Sequence, residues 1–241
     1  MNLARRALAE FAGTAALVAV VVGSGIMAAD LSRDVGVQLL ANSLATAAGL
    51  AVLILILGPV SGAHFNPVVS VAAWVLTRRD AAPAVRGRDV AAYVPAQVAG
   101  AIAGAVLANA MYALPAVQIS ARARSAPHLL LGEVVATAGL IVVIFALTRQ
   151  GRAALAPVAV GGYIGAAYWF TSSTSFANPA VTLGRAFTDT FAGIAPASVP
   201  GFIAAQLAGA ALGGLLLVML YPNSPQPVTG STHQAAADQL R

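Results

Sequence analysis

The chain has 241 residues, of which 59% are hydrophobic and only 9% are charged, and its formal net charge is +5. So few charges cannot cover the surface of a soluble globule, and all the cations are arginines in short connecting segments, which excludes a basic nucleic-acid-binding patch. Without cysteine, the chain has no disulfide, thiolate metal site or thiol nucleophile. We therefore predict an all-α membrane protein with several spans.

Six apolar runs are each long enough, at roughly 20 residues, to cross a hydrocarbon core about 30 Å thick. The predicted spans cover residues 7–29, 36–58, 89–113, 128–148, 153–171 and 197–221. The first run is followed by further spans and has no clear cleavage site, so we interpret it as a retained helix rather than a signal peptide. The C-terminal tail, residues 222–241, is rich in proline and polar residues and is predicted to be flexible.

Two shorter apolar runs, residues 66–76 and 178–187, each begin with an Asn-Pro pair. Asn is a favoured N-cap and Pro a favoured first helical residue, so each pair predicts the start of a helix. At about 1.5 Å per residue, each run covers only about half of a bilayer. Exposed backbone is tolerated at that depth only where it is buried in protein or lines a wet cavity, so we predict two re-entrant half-helices.

An internal repeat relates the two halves of the chain. The segment Ala-Glu-Phe-Ala-Gly-Thr in the first span is matched by Gly-Glu-Val-Val-Ala-Thr in the fourth, and Ala-Gln-x-Ala-Gly-Ala occurs in both the third and the sixth. Because three spans per half is an odd number, the halves must have opposite orientations. We predict one channel domain over residues 1–221, made of two inverted repeats at about 5–115 and 128–221, whose half-helices meet near the midplane.

The distribution of arginine predicts the orientation of the chain. In a six-span arrangement nine arginines fall on one side of the membrane, and four, Arg33, Arg122, Arg124 and Arg185, fall on the other. Because basic residues are enriched in cytoplasmic loops, both termini are predicted to be cytoplasmic.

The two Asn-Pro pairs also predict a chemistry. Each asparagine caps its own helix through its side-chain oxygen, which leaves its amide NH₂ free to donate into a lumen. Two positive helix ends and two donors at one depth favour neutral hydroxylated molecules and repel cations. Carbonyl groups of residues 62–65 and 174–176 are expected to add acceptors along the wall. The pattern predicts a channel for polyols, water or hydroxo-metalloids rather than an enzyme.

The segment Ser-Gly-Ala-His-Phe-Asn-Pro-Val, the later Asn-Pro-Ala and the repeated Glu and Gln motifs resemble the aquaporin and aquaglyceroporin (major intrinsic protein) family over residues 5–221. The resemblance implies a passive channel in membrane lipid, in a bacterial inner membrane, assembled as a homotetramer with one pore per subunit and no cofactor. It also implies pore motifs, a ladder of pore-facing carbonyls and two loop-bracing carboxylates. The pore motifs are Asn66, Pro67, Val68, Asn178, Pro179 and Ala180. The carbonyl ladder comprises Gly62, Ala63, His64, Phe65, Thr174 and Phe176. The loop-bracing carboxylates are Glu10 and Glu133. No metal site is expected, because His64 has no second histidine near it in sequence.

The outer constriction departs from the family pattern. Family members typically carry Arg directly after the second Asn-Pro-Ala, whereas this chain has Val181 there, and Arg185 lies one helical turn farther on. Counting back without gaps places the other selectivity-filter positions at Thr46, Ala166 and the Ser175 carbonyl. The expected filter is wide, uncharged and partly apolar.

Residues 176–182, Phe-Ala-Asn-Pro-Ala-Val-Thr, and residues 185–190, Arg-Ala-Phe-Thr-Asp-Thr, are similar to those of bacterial aquaglyceroporins associated with arsenic-resistance operons. Our preferred hypothesis is passive conduction of arsenite and related metalloid acids. A glycerol or water facilitator shares every motif and stays open. A secondary transporter also uses inverted repeats and broken helices, but no acidic residue lies beside the half-helices to couple an ion. A membrane-embedded hydrolase needs a nucleophile with a base, or a metal cluster, and the sequence indicates neither.

Overall fold

A computed structural model describes residues 2–78 and 84–221, and within these ranges it contains eight α-helices and no strand. The helices are α1 (Leu3–Leu31), α2 (Val35–Ser61), α3 (Pro67–Thr77), α4 (Gly87–Met111), α5 (Pro127–Arg149), α6 (Ala156–Phe170), α7 (Pro179–Gly184) and α8 (Val199–Leu220). Three short 3₁₀ turns flank these helices. Ala153–Leu155 precedes α6, Arg185–Phe187 follows α7, and Pro196–Ser198 precedes α8. The predicted flexible tail, residues 222–241, lies outside the described residues, as does Arg79 of the arginine count.

The described helices include six that are long and apolar enough to cross a membrane, which confirms the six predicted spans. The helices α3 and α7 confirm the two predicted half-helices. The second is shorter than predicted, since α7 ends at Gly184 and continues only as a 3₁₀ turn. Carbonyl groups of that turn accept hydrogen bonds from the loop between α4 and α5: Ala186 from the Ser120 N–H at 3.0 Å and Phe187 from the Gln118 N–H at 3.3 Å.

Both half-helices begin as N-capping predicts. Asn66 Oδ1 accepts the N–H of Val68 at 3.1 Å, and Asn178 Oδ1 accepts those of Ala180 at 3.0 Å and Val181 at 3.2 Å. A proline occupies the first helical position of each, where its missing N–H costs no hydrogen bond. The Asn-Pro pairs therefore set both starting points.

Glycines let α1 approach α4, and α5 approach α8, at corresponding places in the two halves. A Cβ atom added to Gly100 in α4 would lie 2.3 Å from the carbonyl oxygen of Phe11 in α1. One added to Gly209 in α8 would lie 2.5 Å from the carbonyl oxygen of Val134 in α5. Small residues at such crossings allow the close backbone contact on which membrane helix packing depends.

The substitution Gly209→Ala is expected to destabilise the protein by about 1–3 kcal/mol, because the added methyl group collides with a backbone carbonyl that cannot move alone. The matched control is Gly214→Ala in the same helix, where a Cβ meets no atom within 4 Å. That variant should be neutral or slightly stabilised, since Ala favours helix over Gly by roughly 0.5–1 kcal/mol. Melting temperatures in detergent, followed by tryptophan fluorescence, compare the two. Equal values would contradict the close α5–α8 approach.

Candidate functional site

The N-termini of α3 and α7 meet head to head, joined by a reciprocal pair of hydrogen bonds. Asn66 Nδ2 donates to the Ala177 carbonyl at 2.7 Å, and Asn178 Nδ2 donates to the Phe65 carbonyl at 2.7 Å. The prediction that both amide groups are free is wrong for one hydrogen of each, because each amide gives an N–H to a carbonyl of the opposite half. Because an amide NH₂ carries two hydrogens, each asparagine keeps one donor for a ligand.

In the second half, the buried carboxylate of Glu133 holds the segment before α7. Its Oε1 accepts the N–H of Phe176 at 2.8 Å, and its Oε2 accepts the N–H of Ala177 at 2.8 Å and Nε2 of Gln206 at 2.6 Å. Hydrogen bonds to an ionised carboxylate are roughly twice as strong as neutral ones. These contacts fix the backbone that leads into the second half-helix.

Glu10 makes the matching contacts in the first half. Its Oε1 accepts Ser61 Oγ at 2.6 Å and the N–H of His64 at 3.0 Å. Its Oε2 accepts the N–H of Phe65 at 2.6 Å and Nε2 of Gln97 at 2.7 Å. Both glutamates are fully buried, so N–H and O–H donors of the protein, rather than water, satisfy their oxygens.

Two glutamines complete these clusters, a role that sequence reasoning missed. Gln97 Nε2 also donates to Ser70 Oγ in α3 at 2.9 Å, and Gln206 Nε2 to Thr182 Oγ1 in α7 at 2.9 Å. Each glutamine therefore ties the carboxylate of its own half to the half-helix of that half. The repeated Ala-Gln-x-Ala-Gly-Ala motif marked both positions in the sequence without indicating their partners.

The backbone before each half-helix adopts an unusual conformation. Five non-glycine residues there have φ between +48° and +63°, namely Ala63, Phe65, Thr174, Ser175 and Ala177. A left-handed conformation costs a non-glycine residue roughly 1–2 kcal/mol, so it persists only where the surroundings enforce it. The carboxylate bonds to the N–H groups of these segments supply that enforcement.

A cavity of about 590 Å³ passes both asparagines. Its wall extends from Thr77 and Thr148, near the ends of α3 and α5, to Val181 and Arg185 beyond the start of α7. The predicted site residues on this wall are Thr46, Gly62, Ala63, His64, Asn66, Ser175, Phe176, Asn178 and Val181. The others lie behind it or away from it: Glu10, Phe65, Pro67, Val68, Glu133, Ala166, Thr174, Pro179 and Ala180.

The structure corrects the predicted position on α6. Ala166 is exposed on the outside of the helix, whereas Tyr168 is buried, lines the cavity and has its hydroxyl 3.2 Å from Thr46 Oγ1. The rotation of α6 about its own axis explains the difference. A Cβ at Gly161 would lie only 2.6 Å from the Ala47 carbonyl oxygen, so the face of α6 that carries Gly161 is the one packed against α2. Positions i and i+2 of a helix point about 200° apart around its axis, so Ala166 and Tyr168 lie on nearly opposite faces.

His64 has a packing and hydrogen-bonding environment rather than a metal-binding one. Its Nδ1 lies 3.0 Å from Ser70 Oγ, and its ring packs edge-on against Tyr93 with centroids 5.6 Å apart. No group of three histidine or carboxylate side chains that could hold a metal ion occurs in the described part of the chain.

Comparisons with known proteins agree with this geometry. Residues 1–175 match the family described as "Major intrinsic protein". The chain is 52% identical over 225 residues to the aquaglyceroporin AqpS of Rhizobium meliloti (strain 1021), covering 93% of this chain and 94% of that one. It is 30% identical over 280 residues to the glycerol uptake facilitator protein of Pseudomonas aeruginosa, and the match covers 98% of this chain and 97% of that one.

The fold is similar to that of the X-ray structure of the aquaglyceroporin from Plasmodium falciparum, with a TM-score of 0.67 over 91% of this chain and 96% of that one, at 19% identity. The six membrane-length apolar helices indicate a membrane protein, and the family match and these relatives indicate the same class. The chain is an integral membrane protein and belongs to the major intrinsic protein family.

Proposed function

We propose that this protein is a passive channel for small neutral hydroxylated solutes, an aquaglyceroporin that conducts arsenite and related metalloid acids together with glycerol and water. The observation that carries the proposal is the cavity that passes both capping asparagines. Each asparagine keeps one free N–H beside a positive helix end, an arrangement that favours lone pairs of a neutral solute. Arsenite is a neutral trihydroxide at physiological pH and offers the same lone pairs as glycerol.

The proposed filter is wide because Val181 occupies the position directly after Asn-Pro-Ala. Val181 lies on the cavity wall and presents an apolar surface there. The hydroxyls of Thr46 and Tyr168 lie on the same wall, and we add Tyr168 to the proposed filter in place of Ala166. A throat with both apolar and hydroxylated surface suits solutes that carry both CH and OH groups.

Conduction is proposed to be passive. Among the described residues, the cavity wall carries no carboxylate. Two fully buried carboxylates, Glu10 and Glu133, already accept backbone and side-chain donors, so neither is placed to bind a coupling ion from the cavity. This arrangement supports a channel over a secondary transporter or an enzyme.

The assembly follows from the same proposal. Residues 1–221 form one channel domain of two inverted halves, with both termini cytoplasmic, in a bacterial inner membrane. Large apolar side chains that do not line the cavity, such as Leu44 and Val158, are exposed in the single chain and fit contact with lipid or with neighbouring subunits of a homotetramer.

A glycerol and water facilitator without metalloid conduction is the second candidate. It is favoured by the 30% identity over nearly the whole chain to a protein named as a glycerol uptake facilitator. The two candidates share the half-helices and the cavity and differ only in the solutes that pass the filter.

Flux measurements on proteoliposomes test the proposal. We expect uptake of glycerol and arsenite at least tenfold above that of empty vesicles, linear in solute concentration and independent of a proton gradient. Arsenite uptake equal to that of empty vesicles, with glycerol uptake retained, would refute metalloid conduction and leave the second candidate. Saturation at low concentration, or dependence on the gradient, would instead indicate a secondary transporter.

A further inference from the structure

Arg185 lies on the cavity wall although the sequence places it outside the predicted filter. It is the first residue of the 3₁₀ turn after α7, and its side chain is only 3% exposed. Side chains on a helix lean toward its N-terminus, so a residue one turn beyond Val181 can extend back toward the midplane. The contacts of Arg185 agree: its Cζ lies 3.4 Å from the ring centroid of Phe176, which precedes α7.

The guanidinium is held in place from one side. Its Nε donates to the carbonyl of Ala192, and its Cζ lies over the Phe176 ring, a cation–π arrangement. Within residues 2–78 and 84–221, neither terminal nitrogen of Arg185 has a hydrogen-bond partner, and neither is fully buried. The charged end of Arg185 is therefore available to the cavity.

Among the described residues, Arg185 forms no ion pair with a carboxylate. The ion pairs found among the described residues involve only Asp89, which lies near the N-terminus of α4. Asp189 Oδ1 accepts the N–H of Ala121 at 3.0 Å, and the Glu133 oxygens are occupied by the donors described above.

A second cation adds to the positive potential. Arg124, from the loop before α5, has its Cζ 5.1 Å from the ring centroid of the same Phe176. Burial, and after it the charge of Arg122, lower the pKa of Arg124 to about 10, so it stays charged at neutral pH. Arg124 therefore places a second positive charge beside Phe176, behind the wall to which Arg185 belongs.

We propose that Arg185 supplies the fixed positive charge of the outer throat, from one helical turn beyond the usual position, and so determines the selectivity against cations. This inference rests on the proposed channel function. It separates two tasks: Val181 leaves the throat wide, and Arg185 sets its charge. Removing a fixed positive charge from the throat lowers the electrostatic barrier to a permeating cation, so the leak of cations should rise at least tenfold.

The test compares Arg185→Gln with Arg185→Lys in proteoliposomes, measuring proton leak under a potassium diffusion potential and glycerol uptake in parallel. We expect the ratio of proton leak to glycerol uptake to be at least tenfold higher in the Gln variant than in wild type. The Lys variant, which keeps the charge but loses the planar fork, should leak no more than wild type. A purely structural role of the guanidinium would make the two variants alike.

The matched control is Arg33→Gln, which removes one exposed arginine from the loop between α1 and α2 without touching the cavity wall. It should leak like wild type. Should Arg185→Gln fail to insert, Arg185→Met, which keeps the aliphatic stem over Phe176, carries the same expectation. Equal proton leak in wild type and in the uncharged variant, with glycerol uptake present, overturns the role of Arg185. Absence of glycerol uptake in wild type counts instead against the channel itself.

Discussion

Replacing Val181 by Arg is expected to reduce glycerol and arsenite uptake at least tenfold while water permeability persists. Val181 is buried on the cavity wall close to the start of α7, so the longer side chain has to enter the throat. A narrow polar throat with fixed charge passes water and rejects larger solutes. Stopped-flow light scattering on the same vesicles measures both permeabilities, and the persisting water flux shows that the variant is folded.

The matched control for this substitution is Val181→Met, which extends the side chain without adding charge. If width alone decides, Met and Arg reduce glycerol uptake to similar extents; if charge and hydration contribute, Arg has the larger effect. Unchanged glycerol and arsenite uptake in Val181→Arg would place Val181 outside the throat and contradict the proposed filter.

The substitution Glu133→Gln should destabilise the protein by about 3 kcal/mol, or roughly 10 °C in melting temperature. The carboxylate accepts two backbone N–H groups and one glutamine amide, all buried. A glutamine side chain offers one acceptor oxygen and turns an NH₂ donor toward the remaining N–H, which leaves a buried donor unpaired. The fluorescence of Trp74 and Trp169 in detergent provides the melting curve.

Two further variants make this prediction specific. Glu10→Gln should cost a similar amount, because Glu10 makes the matching contacts in the first half. Asp30→Asn removes an exposed carboxylate near the end of α1 and should leave the melting temperature unchanged. A Glu133→Gln protein that melts at the wild-type temperature would show that the carboxylate contributes little to holding the loop.

Much of the architecture was predictable because it depends on local chemistry that the sequence displays. The Asn-Pro pairs set the starts of α3 and α7, since capping needs only the asparagine oxygen and the first two backbone N–H groups of the helix. Glu10 and Glu133 were recognisable because a carboxylate within an apolar span is costly unless it has partners.

The parts that sequence reasoning missed depend on rotation and reach in three dimensions. Ala166 follows from a gap-free count, but the packing of Gly161 against α2 turns Tyr168 toward the cavity instead. The sequence places Arg185 one helical turn beyond Val181, outside the predicted filter. Its Cζ lies 3.4 Å from the ring centroid of Phe176, which precedes α7, and a count of residues cannot show this contact.

The reciprocal asparagine bonds have a consequence for how the protein assembles. The Phe65 carbonyl in the first half accepts from an amide that lies 113 residues later, and the Asn66 amide donates to the Ala177 carbonyl, 111 residues later. The first re-entrant loop therefore cannot complete its polar pairing when its own half leaves the ribosome. Its maturation has to await synthesis of the second loop, so the two loops reach their final form in a single shared step.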